Sequence, residues 1–108
     1  MKRMIYTMSS KVKQGDVWLA NVLFKGSHQA KQCPVVIVGN ELALDVDVII
    51  APVTSKEPRN KFDVRLEYWE EAGLLKPSVV RTSKIISVHG SELKRQLGVL
   101  RNHDLERV

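Results

Sequence analysis

The sequence holds little of what specialised proteins are built on. Its 108 residues contain one cysteine, Cys33, so no intramolecular disulfide can form. That thiol and three scattered histidines give no metal-ligand spacing, which sets aside a structural zinc site. Aromatic residues make up 6% of the chain, too few for a platform of several stacked rings. No apolar run approaches the ~20 residues that a membrane-spanning helix needs. The basic start, Met1 to Met8, is followed by no apolar stretch of the kind a signal peptide carries. A cytoplasmic protein without membrane contact is therefore expected. A glycine-rich phosphate loop, a nucleophile elbow and a His-x-x-x-His spacing are all missing. Nothing calls for a cofactor.

What is present suits one small globular domain. The length allows a single modest core and no second one. An apolar fraction of 44% with 27% charged residues sets it apart from a disordered tail. Seventeen Lys and Arg against twelve Asp and Glu give a net charge of +5, which favours a polyanionic partner. The charge is uneven. Residues 1–14 carry Lys2, Arg3, Lys11 and Lys13 with no acid, and 76–95 carries Lys76, Arg81, Lys84, Lys94 and Arg95 against Glu92. Acids gather in 41–47 and 67–71.

Residues 1–14 are weakly patterned and read as a flexible basic arm, with order expected from Gly15 to Val108. Asp16–Phe24 is rich in β-branched and aromatic residues and predicts a strand. Residues 25–32 form a polar loop, and Pro34–Val38 a short buried strand. Val46–Val53 predicts a third strand that ends, bulges or runs along an edge at Pro52. Phe62–Leu66 alternates with period two. Tyr68–Ala72 predicts one helical turn, with Gly73 as the residue that closes it. A long strand is expected over 78–88, a short one over 97–100, and a final short helix capped by Asn102. Short strands with small helical pieces make a curved antiparallel sheet or small barrel.

The polar residues worth weighing sit on or beside strands. Thr54 and Ser55 place two hydroxyls at a strand end. Alternation along the strand expected over 78–88 puts Arg81 and Ser83 on one face with Val79 and Ile85, and Thr82 and Lys84 on the other. An arginine among apolar strand residues needs either an acid from the 67–71 cluster or an opening onto a cleft. Cys33, before a proline, is expected to be extended, and its bland role is that of a small buried apolar residue. Trp18 and Trp69 suit core or interface anchors.

Several segments in order carry a resemblance. They are Gly15-Asp16-Val17-Trp18, Cys33-Pro34-Val35-Val36-Ile37-Val38 and Ala51-Pro52-Val53-Thr54-Ser55. They continue with Glu67-Tyr68-Trp69-Glu70-Glu71-Ala72-Gly73-Leu74 running on to Pro77-Ser78-Val79-Val80-Arg81, then Gly98-Val99-Leu100 and Asp104-Leu105. Together they resemble the MazF/PemK family of toxin endoribonucleases of type II toxin–antitoxin systems. The resemblance implies an α+β, mostly β fold, an SH3-like curved antiparallel barrel with a short C-terminal helix, in a homodimer. It implies metal-independent, sequence-selective cleavage of single-stranded RNA, and an acidic antitoxin as the neutralising partner. Arg81, Thr54 and Ser55 match its catalytic positions. Lys31, His28, Gln29, Ser83 and Lys84 fall where substrate contacts are implied. Where the family has an arginine before its proline, this chain has Cys33. Lys31, two residues earlier, shares its face if the strand starts that soon, and His28 is a candidate proton acceptor. Two other functions stay open: a weakened RNA- or antitoxin-binding module, and a gyrase-inhibiting toxin of similar shape.

Overall fold

The computed structural model describes residues 12–23, 29–39 and 47–108. The described residues include seven antiparallel strands and one α-helix: β1 Asp16–Val22, β2 Lys31–Ile37, β3 Asp47–Thr54, β4 Asp63–Arg65, β5 Val79–Arg81, β6 Ile86–His89, β7 Leu93–Val99 and α1 Asn102–Arg107. The strand order is β4-β5-β3-β2-β1-β7, with β6 also on β3. The pairings among the described residues do not close this sheet into a barrel. No helix among them is long and apolar enough to cross a membrane.

Strand alternation splits the apolar residues between two faces. Val17, Val36, Ala51, Val53 and Val80 line one, covered by Leu66, Ala72 and Leu74 of the 66–74 turn and by Leu100. Ala20, Val22, Val35, Ile37, Val48 and Ile50 line the other, against Val12, with Trp18, Cys33, Ile86 and Val88 packed around them. The sheet is buried on both sides, which is why Pro34–Val38 reads as a continuous apolar run. Of the arm expected over 1–14, residues 1–11 lie outside the described residues. Val12 is buried, and Gln14 Nε2 donates to the Val38 carbonyl at 3.1 Å.

Three expectations need correction. The strand expected over 78–88 is two strands separated by a 3-10 turn, Thr82–Lys84. Both halves pair with β3: Val80 opposes Val53 and Ile86 opposes Ile50. Three steps along β3 thus face six along its partner, and the surplus is the 3-10 turn. Pro52, which has no N–H to donate, sits in that gap. The interruption that Pro52 announced therefore falls on the neighbouring strand, while β3 runs on to Thr54. The strand expected over 97–100 starts four residues earlier, at Leu93, and pairs irregularly with β1. Asn102 is not the cap of α1; Arg101 holds that position and makes no side-chain capping bond.

The expected turn at 68–73 closes on glycine. Gly73 N–H donates to the Glu70 carbonyl at 3.1 Å and Leu74 N–H to the Trp69 carbonyl at 3.1 Å. Gly73 has φ +84°, and Trp69 and Leu74 pack in one core, so the turn ends in a Schellman motif.

Candidate active site

The register brings three strands' polar residues to one end of one sheet face. Val35 opposes Pro52, so both point to the same side. By period two, Lys31 and Cys33 follow Val35 on that side of β2, and Thr54 follows Pro52 on β3. The strand does start at Lys31. On β5, Val80 shares the opposite face with Val53, which puts Arg81 on the side of Thr54. Thr54 opposes Val79, so Arg81 lies two residues along from it, a diagonal neighbour at about 7 Å. Lys31, Cys33, Thr54 and Arg81 thus lie together at one polar margin of this face, with Asp63 beside Arg81 on β4.

Thr54 ends its strand with its hydroxyl oxygen accepting from Lys56 N–H at 3.2 Å. The hydroxyl proton is left to donate elsewhere. Ser55 is exposed beside it. Arg81 is half-buried, and its Nε is buried without a hydrogen-bond partner among the described residues. The acids of 67–71 do not pair with it. Glu71 accepts from Arg101 at 3.1 Å, and Glu67 faces His103 at 3.3 Å and Arg107 at 4.0 Å. Among the described residues no ion pair holds Arg81, although Asp63 faces it from the paired strand β4, so its donors are left for an incoming anion.

Ser83 and Lys84 lie in the 3-10 turn, both exposed, so they do not alternate with Arg81 as strand residues would. Thr82 is held there, its hydroxyl donating to the Phe62 carbonyl. Gln29 is exposed just before β2. His28 lies outside the described residues. Cys33 is partly buried, and burial pushes its thiol pKa upward. It is therefore a neutral thiol near pH 7, neither an anion repelling phosphate nor a ready base. No group of three or more histidines, cysteines or carboxylates among the described residues is placed to hold a metal ion.

On the opposite face a cleft of about 520 Å³ opens beside the strand end. Leu19, Pro34, Val53 and Leu97 are among its apolar lining residues, and Lys76 and Arg95 supply cations. Thr54 and Ser55 line it too, so the β3 end borders both faces.

The motif residues outside this region prove to be fastenings. Asp16 accepts from Lys13 N–H at 2.9 Å and from the Trp18 indole at 3.4 Å. Asp104, fully buried, accepts from the backbone N–H groups of Glu67 at 3.1 Å and Tyr68 at 2.9 Å, tying α1 to the 66–74 turn. Neither contact is visible in sequence spacing, since 36 residues separate Asp104 from Tyr68.

Comparison with known proteins points one way. Residues 13–108 match the family model described as PemK-like, MazF-like toxin of type II toxin–antitoxin systems. No curated protein sequence matches the chain. Among solved structures, a mycobacterial endoribonuclease in complex with its cognate antitoxin superposes with a TM-score of 0.71 at 17% identity, covering 89% of this chain and 85% of that one. The Mycobacterium tuberculosis toxin MazF-mt6 superposes with a TM-score of 0.69 at 23% identity, covering 85% and 86%. A MazE–MazF structure from Deinococcus radiodurans gives 0.66 at 20% identity, covering 89% and 87%. At these identities the likeness is one of fold.

Proposed function

This chain belongs to the PemK-like, MazF-like toxin family of type II toxin–antitoxin systems, and from that premise we propose that it is a metal-independent endoribonuclease acting on single-stranded RNA. The observation that carries this is Arg81, a guanidinium held in no ion pair among the described residues, on the same sheet face as the Thr54 hydroxyl. The 2′-oxygen of a nucleotide attacks the adjacent phosphorus while the bond to the 5′-oxygen breaks. The products are a 2′,3′-cyclic phosphate and a 5′-hydroxyl. One proton leaves the 2′-hydroxyl and one reaches the departing oxygen. Negative charge accumulates on the phosphate oxygens in between. Arg81 grips two of those oxygens, and Thr54 donates its hydroxyl proton to one of them. Lys31 adds a second positive charge, though not a bidentate fork. Ser55, Gln29, Ser83 and Lys84 contact flanking nucleotides. Of the candidates, His28 has the side chain that takes up a proton near neutral pH.

Solved relatives occur with an antitoxin, and an acidic antitoxin suits this basic chain as the neutralising partner. A homodimer in the cytoplasm completes the proposal. The test is incubation of the purified chain with a long defined RNA in EDTA, with all new ends mapped. Cuts at a recurring short sequence with 5′-hydroxyl ends are expected. A single 2′-deoxy nucleotide at a mapped site should abolish that cut alone. Intact RNA with a folded protein would reject the proposal in favour of a binding module.

A further inference from the structure

We propose that Asp63 is the positioning residue for Arg81, taking its Nε–H when the guanidinium closes on a phosphate; this rests on the RNA-cleaving function proposed above. Pairing of β4 with β5 sets Asp63 opposite Arg81. Residues so opposed share a face with Cβ atoms about 5 Å apart. No ion pair joins them among the described residues, although their charges are opposite. Asp63 Oδ2 accepts from Arg59 N–H at 2.8 Å. Its other oxygen, Oδ1, is buried and has no hydrogen-bond partner among the described residues, and the same holds for Arg81 Nε. One buried acceptor and one buried donor therefore sit on facing residues, each lacking the bond the other can supply.

A buried polar atom left unbonded is costly, so this arrangement favours any movement that joins the two. The guanidinium geometry says what joining does. A carboxylate on Nε fixes the plane of the fork and leaves the two Nη groups to face an anion end-on. Asp63 suits the task because its own turn is pinned. Asp63 N–H donates to the Asn60 carbonyl at 3.2 Å, and Phe62 N–H donates to Asn60 Oδ1 at 2.8 Å. The Phe62 carbonyl accepts from Thr82, the residue after Arg81. Base and lever are thus tied at both ends.

The test uses the full chain with Asp63→Ala and Asp63→Asn, so that one variant remains if the other does not fold. Single-turnover cleavage in EDTA should fall roughly 10- to 100-fold in Asp63→Ala. Affinity for an uncleavable RNA with 2′-O-methyl groups should change much less. In an Arg81→Lys background, which has no Nε–H, Asp63→Ala should cause no further loss. By NMR, Arg81 Nε–H should become protected from exchange when the 2′-O-methyl RNA binds the parent chain, and stay unprotected in Asp63→Ala. Unchanged cleavage, a full further loss in the Arg81→Lys background, or equal Nε–H protection would overturn the assignment. So would loss of the acidic limb of the pH–rate profile in Asp63→Asn, which would make Asp63 a titrating base. If the parent chain does not cleave RNA at all, the function proposal fails. The Nε–H measurement on bound 2′-O-methyl RNA then still decides the role of Asp63.

Discussion

Among the described glycines, Gly73→Ala should be the most damaging added methyl. Gly73 has φ +84°, a conformation that costs a residue with a Cβ about 1 kcal/mol or more. A Cβ there would also sit 1.9 Å from the Leu97 carbonyl oxygen and 2.5 Å from its carbon, both backbone atoms of β7. Neither can rotate away as a side chain would, and overpacking of this kind adds about 1–3 kcal/mol. The expected loss is about 2–4 kcal/mol, or roughly 10 °C and upward in Tm. Gly98 is the other half of the same contact. Its Cβ would lie 2.4 Å from the Ala72 carbonyl oxygen, and Gly98→Ala should cost the packing share alone. Gly15→Ala is the control. Its φ is also positive, but its Cβ would meet the Leu105 Cδ2 methyl at 3.2 Å, and that side chain can shift. Urea unfolding followed by circular dichroism should rank the losses Gly73 first, Gly98 next and Gly15 last. A Gly73→Ala loss no larger than that of Gly15→Ala would refute the backbone-to-backbone contact between the 66–74 turn and β7.

Asp104→Ala should cost about 3 kcal/mol, because it leaves the Glu67 and Tyr68 amides without their charged acceptor; hydrogen exchange at those two amides should accelerate. Burial raises the Cys33 thiol pKa above 9.0, so the folded state holds this proton longer than the unfolded chain does. Its contribution to stability is complete below about pH 9 and is lost as the pH rises through the folded value. The parent chain should therefore lose more stability than Cys33→Ala between about pH 8 and pH 11. Cys33→Arg should raise the RNA cleavage rate by roughly tenfold or more, by adding a second guanidinium beside Thr54; an unchanged rate would mean that Lys31 already fills that role.

Most of the architecture was legible because the relevant patterns are local. Period-two alternation and β-branched runs marked β1 to β4, and the Tyr68–Gly73 segment carried its own stop signal. The break at Thr82–Lys84 was hidden, because Val79 to Val88 alternates well enough for one strand. Only the demand that both halves pair with β3 around Pro52 forces the turn. The length of β7 was masked by Lys94, Arg95 and Gln96, three polar residues that an irregular edge strand tolerates. At the site, Thr54 and Arg81 were visible from the resemblance, and the register brings them together. Asp63 was not, since its interest lies in facing Arg81 across two strands 18 positions apart in sequence. The family motifs split in a way that residue types alone conceal. Asp16, Gly73, Gly98 and Asp104 hold turns and the helix in place, while Thr54 and Arg81 stand at the polar margin where the proposed cleavage would occur.

That margin is tested most directly by Arg81→Ala. Cleavage of a defined RNA in EDTA should be measured for the parent and the variant side by side, with an unfolding curve for each. The expected result is a rate lower by roughly 10²–10³. Stability should change little, because the variant removes a buried donor that has no partner among the described residues but also the positive charge facing Asp63. A variant that is fully folded and cleaves as fast as the parent would contradict the assignment of Arg81 as the phosphate-gripping residue.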